Sequence, residues 1–259
     1  MNDMESDQQI TLSVRRWAAW APGLTDQSSW HAWSEGTRAI CGPVAPDVKF
    51  VAPMMRRRLS RLSRMAFRVA ADCLSEEQDA IAFVFCSRYG EYHRSYGILE
   101  NLAAGEPASA AAFSMSVHNT AASLFAIETQ NTAQATALSG GEATLEAAFL
   151  EAWSLMSDGA APAVLVVYHD EPLPELYRDS ATTVRNSAAF AMLLRPPESG
   201  DDVPELQLSW GLAKESAVAN CDTPDPALEV LRLLLRGGDP VVLDTGRLIW
   251  TWSRNAAAA

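Results

Sequence analysis

The chain is poor in lysine and histidine. Of its 20 basic residues only Lys49 and Lys214 are lysines, and no histidine follows His169. The four histidines are His31, His93, His118 and His169. Cysteine is sparse as well: Cys41, Cys73, Cys86 and Cys221 are widely spaced, with no CxxC pair. That spacing excludes the common zinc pattern, and four cysteines in 259 residues do not make a disulfide framework. Neither a metal nor a cofactor is expected. No apolar run approaches the ~20 residues that a membrane helix needs. The polar start, Met1 to Gln9, does not read as a secretory signal. The expectation is a cytoplasmic protein without a membrane span. A net charge of −12 argues against nucleic acid as a partner.

What is present is enough apolar sequence, 48%, to bury a real core. Apolar or alternating runs predict strands at 10–22, 80–86, 132–138, 163–168, 187–195, 205–213 and 246–254. On the last of these, Trp250 and Trp252 share a face. Leu59, Leu62, Met65, Ala66, Val69 and Cys73 recur at helical steps within a helix expected over 54–74. Further helices are expected at 95–104, 115–129, from Glu142 to about Asp158, and at 225–236, with a short one near Ser29–Ser34. His31 and His169 read as surface or loop residues. Interleaved strands and helices indicate α/β layering around a mixed, largely buried sheet.

Two features point to function. The first is basic: Arg56, Arg57, Arg58, Arg61, Arg64 and Arg68 crowd one face of the 54–74 helix. Such a face suits an acidic partner, and equally suits solvent with acids of its own chain beside it. The second is a turn, Ser139-Gly140-Gly141, between a strand and a helix expected to start at Glu142. Enzymes use this elbow to hold a nucleophile at the positive end of a helix dipole. A carboxylate is comfortable there, but it is a poor nucleophile for thioester chemistry. An ordinary first-turn acid that stabilises a helix looks the same.

The order Phe113-Ser-Met-Ser-Val-His-Asn119, the Ser139-Gly-Gly turn, a helix ending in Gly159 and the strand AVLVVY resembles the N-terminal half of the β-ketoacyl synthase family. Arg56 to Met65 is similar to that family's early Arg-rich helix, and Ser187–Leu194 to the strand closing its N-terminal half. The resemblance covers roughly 10–195. It implies a thiolase-like α/β layered fold with a mixed sheet, the second half largely missing. The division it implies is a ketoacyl synthase N-terminal-like domain over 10–195 and a short strand and helix extension over 196–259 packed on it.

Laid over the family pattern without gaps, the catalytic Cys position falls on Glu142. A gapped alternative, matching Thr136-Ala137, puts Leu138 there. Neither supplies a Cys, and the two catalytic histidines of the family's second half have no counterpart after Arg195. The resemblance therefore implies a pseudo-enzyme of the chain-length-factor type, as in type II polyketide and aryl polyene systems. Its partner would be an active β-ketoacyl synthase, with an acyl carrier protein as a further partner. Phe113, His118, Asn119, Asn131, Gln134 and Thr136 would line the pocket or the interface, and Arg56, Arg57, Arg58, Arg61 and Arg64 would dock the carrier or partner. The alternative is a malonyl-carrier-protein decarboxylase that uses Glu142 in place of Cys.

Overall fold

The computed structural model describes residues 8–42, 45–74, 81–180, 184–200, 202–213 and 225–255, with side chains at 178–180 left undescribed. In chain order the elements are β1 (Gln8–Trp20), α1 (Gln27–Ser34), α2 (Pro53–Arg56), α3 (Arg61–Leu74), β2 (Ala82–Cys86), α4 (Tyr92–Ala103), α5 (Ala110–Ser114), α6 (Thr120–Glu128), β3 (Ala135–Leu138), α7 (Thr144–Ser157), β4 (Val164–Asp170), β5 (Ala188–Arg195), β6 (Glu205–Leu212), α8 (Pro226–Arg236), β7 (Val241–Asp244) and β8 (Leu248–Asn255). Cys221, Lys214 and the Ala256–Ala259 tail lie outside the described residues.

The eight strands of the described residues join one sheet in the order β3-β2-β4-β5-β1-β6-β8-β7. β3, β2 and β4 run parallel; the remaining neighbours are antiparallel, so the sheet is mixed. β2 and β4 are buried along their whole length, and β5 up to its last residue. The reason is that both faces are covered, which removes the polar alternation of a half-exposed strand. Phe83, Phe85, Leu165, Val167 and Leu193 pack with Met65, Phe67 and Phe125 of α3 and α6. Val84, Val166, Phe190 and Met192 point the other way, into a core shared with α7, α8 and α1. Beyond β1 only that second face is covered among the described residues. There Leu206, Leu208, Trp250 and Trp252 join α8, while Gln207, Ser209, Thr251 and Ser253 stay half-exposed on the opposite side.

Several expectations need correction. The helix expected over 54–74 is two helices separated at 57–60, because the Ser60 hydroxyl accepts the Ser63 N–H at 2.9 Å and so caps a new start. The helix expected from residue 115 begins at Thr120, whose hydroxyl donates to the Met115 carbonyl at 3.1 Å and holds the preceding residues as a turn. His169 is neither loop nor surface. It lies on β4, buried, with its ring edge-on to Phe85, and burial pushes it down to about 4, so it is neutral at pH 7. Strand β7 and helix α5 were not anticipated.

Candidate functional site

The elbow exists, with one difference. After β3 a single 3-10 turn, Gly141–Ala143, precedes α7, so Glu142 sits just before the α-helix and not at its first position. Gly141 takes φ +64, a conformation in which a Cβ would be strained. A Cβ on Gly140 would stand 2.7 Å from the Ala143 carbonyl oxygen, so the turn closes only around glycine. Thr144 ties it: its Oγ1 accepts the Gly140 N–H at 3.1 Å and donates to the Gly141 carbonyl at 2.7 Å.

Glu142 is held from below by Arg88, in the turn after β2. Arg88 reaches both carboxylate oxygens, Nη1 to Oε2 at 2.7 Å and Nη2 to Oε1. A two-point guanidinium contact is the strong form of an ion pair. Arg88 is itself fixed by a polar joint. Asp170, at the end of β4, accepts from the Ser87 hydroxyl and the Arg88 N–H, both at 2.8 Å. The Ser87 Oγ accepts the Gly90 N–H at 2.7 Å, and the Ser139 hydroxyl donates to the Arg88 carbonyl at 3.0 Å. His118 Nε2 meets the Ser87 carbonyl at 2.8 Å. Elbow, β2 turn, β4 end and the start of α6 are therefore one unit.

Behind the pair lies a cavity of about 20 Å³, lined in part by Glu142, Glu146, Tyr168 and Asp225. Two of these acids, Glu146 and Asp225, are desolvated. Burial raises Glu146 to about 7 against the pull of the Trp252 indole N–H, which donates to it at 2.8 Å. Burial likewise raises Asp225 to about 7, and the Asp170 charge adds to this while the Asn186 N–H opposes it. Asp170 rises to about 6 through burial, despite its hydrogen bonds. Cys86, paired in register with Leu138, offers no substitute nucleophile. Burial and then the Asp170 charge push its thiol well up, away from the thiolate that thioester chemistry needs.

The other sequence candidates divide into groups. Only His118 joins the elbow unit. Leu138 ends β3, half-buried against the α7-side core. Asn131 ties the α6–β3 loop to the start of β2, donating to the Ile81 carbonyl at 2.6 Å and accepting the Ala133 N–H at 3.0 Å. Gln134 accepts the Phe83 N–H through its carbonyl, and the Thr136 hydroxyl reaches Glu151 Oε1 at 3.2 Å. Asn119 precedes α6 without a side-chain capping bond. Phe113 is 66% exposed. Of the arginines, Arg61 pairs with Glu171 at 2.9 Å and contacts Ser187, Arg68 pairs with Asp72, and Arg64 donates to the Arg56 carbonyl at 3.1 Å. Arg57 and Arg58 remain exposed. Sequence reasoning missed Arg88, Glu146, Asp170 and Asp225. No local pattern marks Arg88, which lies 54 positions from Glu142.

Residues 30–253 match a family model described as beta-ketoacyl synthase, N-terminal domain. No curated relative matches the chain. Among solved structures, a chain of the ketosynthase ApeO in complex with its chain length factor ApeC, from Xenorhabdus doucetiae, is 30% identical. That match covers 95% of this chain and 100% of that one, with a TM-score of 0.76. A chain of the ishigamide ketosynthase/chain length factor is 17% identical over 85% of this chain and 70% of its own, with a TM-score of 0.64. The type II PKS acyl-carrier protein AntF in complex with its ketosynthase AntDE contributes a chain 15% identical, with 86% and 72% covered and a TM-score of 0.60. These last two share the fold. With the family model spanning most of its length and the closely superimposing 30% relative covered end to end, this chain belongs to the β-ketoacyl synthase N-terminal domain family.

Proposed function

We propose that the chain is a chain-length-factor-like subunit that pairs with an active β-ketoacyl synthase, contributes a wall to the tunnel holding the growing acyl or polyene chain, and performs no condensation itself. The observation that carries this reading is Glu142 at the elbow, gripped at both oxygens by Arg88. Decarboxylative condensation needs a thiolate to hold the acyl chain and donors to stabilise an enolate. The elbow offers an engaged carboxylate in place of the first. The similarity to chains of two ketosynthase–chain length factor assemblies supports the choice of partner.

β3 is the natural place to pair. It is a sheet edge, flanked by the exposed side chains of Ile127 on α6 and Trp153 on α7. The exposed Arg57 and Arg58, with Arg56 beside them, suit an acidic carrier or partner surface. An aryl polyene pathway is the setting we favour. Decarboxylation by Glu142 is the weaker reading, since a carboxylate committed to Arg88 is not presented to a substrate.

The test is reconstitution. The chain is purified alone and together with its genomic-neighbour ketosynthase. A stable heterodimer is expected, with condensation only when both are present and lost when the partner's own active-site Cys is replaced. Condensation by the isolated chain overturns the proposal.

A further inference from the structure

A groove of about 570 Å³ separates the elbow from the β6–β8 part of the sheet. Small-molecule sites commonly span roughly 300–1,000 Å³. Gly140, Glu142 and Ala143 form one wall. Leu212, Leu248 and Trp250 form the other, with Thr245 and Arg247 in the turn between β7 and β8. The second wall is apolar by construction. Leu212 faces Leu248 across the β6–β8 ladder, and Trp210 faces Trp250 with ring centroids 5.8 Å apart. Leu212 is nevertheless 83% exposed, a large apolar side chain with nothing over it among the described residues.

The charges around the groove are unequal in availability. Glu142 is neutralised by Arg88. The Asp244 carboxylate turns back onto the Gly246 N–H at 2.7 Å. Arg247 is exposed, and its guanidinium makes no ion pair or hydrogen bond among the described residues; only its carbonyl is used, accepting the Ala213 N–H at 3.1 Å. Trp250 is 7% exposed and its indole N–H has no acceptor among the described residues. A free cation beside an apolar slot selects a ligand with a matching anion and a matching tail.

We propose that this groove binds a single-chain amphiphile with a carboxylate head, the tail lying on Leu212, Leu248 and Trp250 and the head on Arg247. One wall, the elbow, directly follows the pairing edge β3, while the other, on β6 and β8, lies toward the far end of the strand order. The inference does not rest on the partner reading and is tested on the full chain alone.

Decanoate is titrated into the chain by calorimetry and by tryptophan fluorescence, with decanol as the control that lacks the charge. The expected result is saturable binding of decanoate, roughly tenfold tighter than decanol, because a charge-assisted hydrogen bond is the stronger kind. Arg247→Ala should remove that preference and leave decanol binding unchanged. Leu212→Ser should weaken both ligands alike. Both positions are exposed, and thermal melts of the variants confirm that they fold. No saturable binding, equal affinity for decanoate and decanol, or an Arg247→Ala variant that keeps the preference each overturns the proposal.

Discussion

A glycine with no room for a Cβ holds the joint under the elbow. Gly90 takes φ +56, and a Cβ there would stand 2.8 Å from Cδ2 of His118. Two costs are therefore superposed at one position: left-handed backbone and a ring collision. Gly90→Ala should lower the unfolding free energy by about 1–3 kcal/mol in urea titrations. Adding His118→Ala should return only the steric part, since the backbone cost stays. A double variant as unstable as the single one would mean that the ring moves aside freely and that His118 is not a fixed member of the joint. Under the proposed function Glu142 stands where a nucleophile would, and Arg88 commits its carboxylate to an ion pair. The buried Cys86 nearby cannot stand in for it, because its environment keeps the thiol protonated.

At the scale of elements, α7 and β8 are linked through a buried acid. Glu146, on the first turn of α7, accepts from the Trp252 indole, and its folded value is raised from 4.5 to about 7. Below about 4.5 both folded and unfolded chains carry this proton. Between 4.5 and about 7 the folded chain holds it and the unfolded chain has lost it, so stability falls as pH rises through this window. The contribution is about 3 kcal/mol. Asp225 acts in the same direction, whereas neutral, buried His169 acts oppositely up to its ordinary value of 6.5. Comparison with Glu146→Gln isolates the one group. The variant should show a flatter decline of melting temperature between pH 5 and 8 and should gain on the parent at pH 8. Parallel curves would refute the assignment. Glu146 also marks where the sequence stops being legible. Leu145, Phe149 and Met156 recur at helical steps in α7 and are buried, and Ala152 takes the inward place while Trp153 faces out. The strands were readable for the same reason: burial on both faces leaves continuous apolar runs. Breaks were not, because at 57–60 the apolar spacing continues unbroken while a serine side chain replaces the backbone bond. The site was readable as an elbow, from two glycines, but not as a joint. Arg88, Asp170 and Glu142 meet only after three strands have been laid side by side.

At the scale of the whole molecule the sheet is asymmetric. Its parallel end is covered on both faces and finishes at β3, and its antiparallel end is covered on one face and finishes at β7. A partner that continues the sheet at β3 must use backbone groups that β2 leaves free. The Phe83 N–H bonds to the Gln134 carbonyl and the Ser87 N–H to the Leu138 carbonyl. Inward-facing backbone groups therefore fall on even positions, and by the two-residue period of a strand Ala135 and Ala137 turn theirs outward. Ala135 is exposed and opens the strand, a position where proline is tolerated. Ala135→Pro removes one outward donor and none of the bonds to β2. The isolated variant should melt within a few degrees of the parent, because a surface change away from core packing costs little. Its pairing with the ketosynthase, followed by size exclusion at falling concentration, should weaken by roughly tenfold or more, the cost of one unmade hydrogen bond at a buried edge. Leu212→Ser, at the opposite end of the sheet, serves as the control and should pair normally. If Ala135→Pro pairs as well as the parent, β3 is not the joining edge, even where the two subunits do associate.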